Sequence, residues 1–165
     1  LSTLHTSNAV GIIPRLIDMG VKPFLISPTL SIAVAQRLIR TLCSNCKKKT
    51  KPSAELRKII LKEIESLPAQ VKKEVGFSES SYPHIYEPVG CPKCNNTGYS
   101  GRMGVYEILE MTNELGELIL KEPSENKIEE EAKRQGMITM KQDGILKALK
   151  GVTSFEEVIR GTEEK

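Results

Sequence analysis

The sequence predicts an α/β chain, rich in helices and with few short strands, that carries an inserted module built on four cysteines. Three observations carry that reading. Across most of the chain, apolar residues recur at helical spacing between capping residues on one side and Gly or Pro on the other. Only short runs, such as 105–111, have strand character. All four cysteines fall into two C-x-x-C pairs, Cys43/Cys46 and Cys91/Cys94. With three Phe, four Tyr and no Trp in 165 residues, Leu, Ile and Val must fill the core.

Taken in order, Leu1–Thr6 reads as the end of a strand, whose backbone groups need a partner, so the chain is expected to begin inside a larger domain. Ser7 or Asn8 then caps a helix with Val10, Ile13, Leu16 and Ile17 on one side and Gly20 as its stop. Pro14 is expected to break or kink that helix. After the apolar run Phe24–Ile26, Ser27-Pro28 is a helix start, and the helix is expected to reach about Leu42. Leu30, Val34, Leu38 and Leu42 then form one stripe, with Arg37 and Arg40 on another face. Ser53 caps a second amphipathic helix with Leu56, Ile59, Ile60, Ile64 and Leu67 inward, closed by Pro68. A short helix to Val75 ends at Gly76, and 77–88 reads as an extended loop. Gly101–Gly104 is a turn before the strand 105–111. Three helices follow, opened by Thr112 or Asn113, Ser124 and Thr139, and closed by Pro123, Gly136 and Gly151. The pattern Thr153-x-x-Glu156 opens a last helix as a capping box.

The cysteines carry the chemistry. Two C-x-x-C turns each aim two sulfurs at one point and together complete a tetrahedron, the pattern of a structural zinc site. The competing readings are two disulfides, which need an oxidising compartment that nothing here signals, a redox pair, which would not require a matching second pair, and four ordinary buried thiols. The 44 residues between the pairs exceed the gap of a compact zinc ribbon, so the metal is read as a clip that closes a helical insertion. With all four positions taken by sulfur, no coordination site remains for substrate. Lys47, Lys48, Lys93 and Arg102 are placed to offset the negative charge of four thiolates around Zn²⁺. Asn45 and the run Asn95–Gly98 suit tight turns around the sulfurs.

Leu1-Ser-Thr-Leu-His-Thr-Ser-Asn8, Arg15–Gly20, Ala35–Cys46, Gly90–Glu107 and Gly151–Val158 together resemble the type II secretion and type IV pilus assembly ATPases, over nearly the whole chain and least between 49 and 83. The resemblance implies a cytoplasmic homo-hexamer with a RecA-like P-loop ATPase core, docked on a platform protein at the inner face of the inner membrane, that uses ATP and Mg²⁺ to extrude pilin or pseudopilin. It implies three parts: the end of the RecA-like core at 1–42, a zinc-binding module at 43–103, and a C-terminal strand and helical subdomain at 104–165. Thr3–Asn8 resembles the histidine box of the family, which makes His5 a catalytic candidate near the γ-phosphate and Thr3 a nucleotide-binding candidate. The family pattern has Asn where this chain has Ser7. No G-x-x-x-x-G-K-[ST] and no acidic strand-end motif for Mg²⁺ occur in these residues. The chain is therefore expected not to hydrolyse ATP by itself.

Arg37 and Arg40 are candidates for contact with nucleotide or a neighbouring subunit, since Arg grips phosphates bidentately. A surface ion pair is the alternative. His84 is expected on the surface. The net charge of +3 is too small to imply a nucleic-acid partner. The rival function is a free-standing zinc module that binds nucleic acid through the basic cluster Lys47–Lys51, or a protein partner. Against the former, the knuckles offer no aromatic stacking platform beyond Tyr99. No apolar stretch approaches the ~20 residues of a membrane span.

Overall fold

The computed structural model of the chain describes residues 1–75 and 84–163. It is mixed α/β, and its residues cluster into two compact units, 1–36 with 106–138, and 37–105 with 139–165. The strands β1 (Ile32–Leu42) and β4 (Tyr99–Glu110) pair in a two-stranded sheet.

In the first unit, residues 1–6 lie in no strand. No described strand pairs with them, and an extended segment without a ladder partner does not register as a strand. The helix α1 (Ile12–Asp18) follows with Gly11 as its N-cap and no side-chain cap, so neither Ser7 nor Asn8 caps it; Asn8 Oδ1 instead accepts the Gly11 N–H at 2.7 Å in the turn ahead of the helix. Pro14 does not break this helix. It sits in the first turn, where its missing N–H would have had no partner in any case. Gly20, at φ +88°, stops the helix: its N–H donates to Ile17 O and that of Val21 to Leu16 O.

The helix predicted from Pro28 to Leu42 is the clearest correction. The short helix α2 (Pro23–Thr29) contains Pro28 near its end, and β1 occupies the rest. Leu30, Val34, Leu38 and Leu42 are four apart, and four is a multiple of the strand period as well as close to a helical turn. Ala33, Ala35, Ile39 and the terminal Leu42 are buried in β1, while Ile32, Val34 and Leu38 are exposed. Arg37 and Arg40, three apart on a strand, therefore point to opposite faces.

The helices α5 (Asn113–Lys121) and α6 (Glu125–Gln135) complete this unit. Thr112 caps α5 by accepting the Leu115 N–H, and Gly136 ends α6 in the left-handed region at φ +87°. A Cβ at Gly116 would meet Ser27 Oγ, so α5 and α2 approach closely there. Isoleucines and leucines dominate the core, among them Ile13, Ile26, Leu109, Leu115, Ile119 and Ile128.

In the second unit, the amphipathic helix α3 (Ala54–Glu65) starts where expected, with Ser53 Oγ accepting the Leu56 N–H. Ile60, Ile64 and Leu67 are buried, but Ile59 is exposed. The helix α4 (Ala69–Val75) follows Pro68; its expected stop at Gly76, and the expected loop as far as residue 83, lie outside the described residues. Beyond that loop, the strand β3 (Ile85–Glu87) pairs antiparallel with β2 (Lys48–Thr50), Lys48 opposite Glu87 and Thr50 opposite Ile85. This pair was not predicted, because three-residue strands carry no readable period. The predicted turn at Gly101–Gly104 is also absent: β4 runs straight through it, with Gly101 at φ +86° inside the strand.

The helices α7 (Met140–Leu149) and α8 (Phe155–Thr162) pack together, with Gly144 so close to Val158 that a Cβ would lie 2.6 Å from Cγ1. Thr139 and Gln142 form a reciprocal capping box on α7. The cap of α8 is Ser154, not Thr153: Ser154 Oγ accepts the Glu157 N–H, while Thr153 Oγ1 donates to Arg40 O at 2.8 Å.

Candidate metal centre

The structure brings Cys43, Cys46, Cys91 and Cys94 together, with all four sulfurs within 4.8 Å of one another. None is in a disulfide. The Sγ separations are 3.9 Å for Cys43–Cys91, 3.8 Å for Cys46–Cys94 and 3.7 Å for Cys91–Cys94. A tetrahedral ion with metal–sulfur bonds of about 2.3 Å holds its ligands about 3.8 Å apart. The donor set therefore fits a metal ion bound by four thiolates.

Local sequence explains this geometry. Cys43 closes β1, and the N–H groups of Cys46 and Lys47 both donate to Cys43 O, folding the first pair into a turn. The second pair sits on a single 3-10 turn, Pro92–Cys94, which Asn95 and Asn96 leave in the left-handed conformation at φ +51° and +60°. Gly98, at φ +76°, brings its N–H to 3.3 Å from Cys94 Sγ, and its carbonyl oxygen accepts the Cys43 N–H at 2.9 Å. A Cβ there would lie 2.9 Å from Pro88 Cα.

Three N–H donors turn towards sulfur. Asn45 Nδ2 donates to Cys91 Sγ, and the amides of Cys91 and Gly98 donate to Cys94 Sγ, each at 3.3 Å. Burial pushes the Cys94 thiol up, but these amides outweigh it and hold the group at about 6. The Asn45 amide lowers Cys91 likewise. Desolvation raises Cys46 instead, to about 11. Donors aimed at sulfur stabilise the thiolate, the form that binds a metal.

Arg40, for which the sequence offered an ion pair as the alternative to nucleotide contact, is ion-paired, but to a buried carboxylate that the sequence reading did not anticipate. Glu157 on α8 is 1% exposed and accepts from the Arg40 amide at 3.0 Å and from its guanidinium at 3.0 and 2.7 Å. Arg160 adds two further bonds. Burial would raise this carboxyl, yet the bonds from Arg40 and Arg160 hold it at about 2. The Arg40 guanidinium also lies 4.0 Å from the Tyr99 ring centroid, and Tyr99 OH bonds Ser154 Oγ at 2.7 Å. The signal was present in the sequence: Ser154 and Glu157 have the same three-residue spacing as Thr153 and Glu156.

The other expected site residues are more dispersed. Thr3 and His5 are exposed in the first unit, Arg37 is half-buried on β1, and Arg102 is exposed on β4. Lys47 Nζ donates to Gly151 O at 2.6 Å and sits 5.2 Å from the Tyr86 ring centroid. No helix of the described residues is long and apolar enough to cross a membrane.

Comparison with known proteins places these features in context. A family model described as type II/IV secretion system protein matches residues 1–160. The type II secretion system ATPase E of Vibrio cholerae is 42% identical over 99% of the chain, which covers 29% of that protein. The type IV pilus assembly ATPase PilB of Thermus thermophilus is 39% identical over 99% of the chain, covering 17% of that protein. PilB of Pseudomonas aeruginosa is 37% identical over 99% of the chain, covering 26% of it. The chain thus spans less than a third of the length of these relatives.

Proposed function

The chain belongs to the type II/IV secretion system protein family, and from that premise we propose that it is a segment of a hexameric motor ATPase powering pilus assembly or type II protein secretion. The observation that carries this reading is the similarity over 99% of the chain to relatives named as ATPases of both systems. In this reading residues 1–42 end a RecA-like core, 43–103 form the zinc module, and 104–165 are a C-terminal subdomain. The motor works at the cytoplasmic face of the inner membrane on a platform protein there. His5 faces the γ-phosphate, with Thr3 beside the nucleotide. Arg37 remains a candidate contact to nucleotide or a neighbouring subunit. Arg40 is less available for such a contact, because its guanidinium already serves the buried Glu157. The phosphate-cradling loop and the acidic Mg²⁺ ligands of the motor belong to residues other than these.

The metal is proposed to be Zn²⁺, one per chain, held by Cys43, Cys46, Cys91 and Cys94. A tetrahedral all-thiolate set suits zinc or iron, and zinc gives a redox-silent, purely structural clip. When bound, it ties the end of β1 to the turn before β4. Asn45, Cys91 and Gly98 supply the N–H groups that hold the thiolates in place.

Magnesium-dependent ATP hydrolysis by the full-length protein containing this chain, compared with its His5→Ala variant and with the 165-residue chain alone, tests the motor reading. Turnover that depends on His5 and is absent from the isolated chain supports it; a full-length protein without turnover refutes it. Metal analysis of the same preparation is expected to return one zinc per chain. Strongly salt-dependent nucleic-acid binding with no turnover would favour the alternative, a zinc module for nucleic acid.

A further inference from the structure

Along β4 the residues at 105, 107 and 109 face inward and are buried, while Tyr106, Ile108 and Glu110 face outward. An apolar residue is the ordinary occupant of such a row. The middle position is instead Glu107, only 5% exposed between Val105 at 0% and Leu109 at 1%. A buried carboxylate is costly unless it is bonded. Glu107 Oε1 accepts the Ala9 N–H at 2.6 Å, across 98 residues of sequence.

Ala9 itself is fully buried, in the turn that follows the exposed His5. Local bonds shape that turn: Thr6 Oγ1 donates to Asn8 O at 3.0 Å, and the Gly11 N–H donates to Asn8 Oδ1 at 2.7 Å. These bonds fix the turn internally and leave its placement against the rest of the unit to other contacts. The Glu107–Ala9 bond is a directional one, and it holds the turn to β4 four residues after the histidine.

We propose that Glu107 is a positioning residue for His5: its buried carboxylate pins the 6–11 turn through the Ala9 N–H and so sets where the histidine stands. The inference rests on the reading of His5 as the group that faces nucleotide. Glu107 touches no reacting atom; it acts through the backbone of the turn. The histidine segment needs such a hold because its own residues 1–6 form no strand or helix. A displacement of about 1 Å in a catalytic group costs on the order of 10²-fold in rate.

Three variants of the full-length protein separate the possibilities. Glu107→Gln keeps an oxygen acceptor for Ala9 without the charge. Glu107→Leu fills the row but removes the acceptor. Glu107→Asp keeps the charge and draws the oxygen back by one carbon, which guards against a Leu variant that does not fold. Hydrogen exchange of the segment 6–12 reads the hold directly, and ATPase kinetics read its consequence. The expected result is lost protection of 6–12 in the Leu and Asp variants but not in the Gln variant. With it, kcat falls by about 10²-fold for Leu, with KM for ATP within about threefold of wild type. The double variant His5→Ala/Glu107→Leu should fall no further than His5→Ala alone. Unchanged protection in both the Leu and Asp variants overturns the proposal, as does a double variant in which the two losses multiply. If His5→Ala itself retains full turnover, the assignment of His5 fails. The exchange measurement still decides whether Glu107 holds the turn.

Discussion

Replacing Glu157 by Gln removes one charge from the centre of the Arg40–Glu157–Arg160 network while keeping the shape of the side chain. Its magnitude follows from the structure. The carboxyl is 1% exposed and is held at about 2, against an ordinary 4.5. At 1.36 kcal/mol per pH unit, that difference corresponds to roughly 3 kcal/mol of stability at neutral pH. Arg40 and Arg160 expose 42% and 63% of their side chains, so solvent screens part of this, and about 2 kcal/mol is the working figure. For a chain of this length that shifts Tm by roughly 4–8 °C. The sign follows from the lowered value: the contribution is complete above pH 4.5 and is lost as the pH falls from 4.5 towards 2. Thermal unfolding of wild type and Glu157→Gln between pH 7 and pH 2.5 measures both effects. The variant should melt lower at pH 7, and the two curves should converge in acid. A variant that melts within a degree of wild type at pH 7, with a parallel acid profile, would show that the network stabilises nothing.

Two other perturbations address the metal centre. Removal of the metal by a chelator should release hydrogen-exchange protection at 41–47 and 89–99, and also at 151–154. Leu42 N donates to Val152 O, Lys47 Nζ to Gly151 O, and Tyr99 bonds Ser154, so the loss is expected to reach the start of α8. Exchange unchanged after complete demetallation contradicts the clip. Gly98→Ala should cost about 1–2 kcal/mol from its left-handed backbone alone. It should also weaken metal retention in a competition assay, because a Cβ would lie 2.9 Å from Pro88 Cα and shift the N–H that serves Cys94. Gly20→Ala is the control, since its φ is +88° but nothing lies within 4 Å; it should lose stability and retain metal.

The parts of the fold that the sequence disclosed are those written in local chemistry. Ser53, Thr112 and Thr139 each cap the helix assigned to them, and Gly20, Gly136 and Gly151 take the left-handed conformation expected of a stop. The four cysteines were legible because C-x-x-C fixes two ligands by itself, and the structure only had to bring two such turns together. What failed was whatever depended on partners distant in sequence. The residues of β1 keep an i, i+4 spacing compatible with helix and strand alike, and only pairing with β4 decides between them. Lys48–Thr50 carries no strand signal and becomes one by facing Ile85–Glu87. Thr153 and Ser154 are equivalent as caps until Arg40 O claims the first. Nothing local in the sequence marks Glu107 or Glu157 as buried; each makes its contacts roughly a hundred residues away.

The insertion between the cysteine pairs is closed twice, by the sulfurs and by the β2–β3 ladder just inside them. Closure entropy rises only with the logarithm of loop length, by about 0.6 kcal/mol for each doubling. A segment with such a gathered neck can therefore change length at small thermodynamic penalty, while the knuckles and the strands they anchor stay fixed. That makes the insertion the place where this chain can best tolerate extra sequence, whether acquired by natural drift or added as an engineered tag.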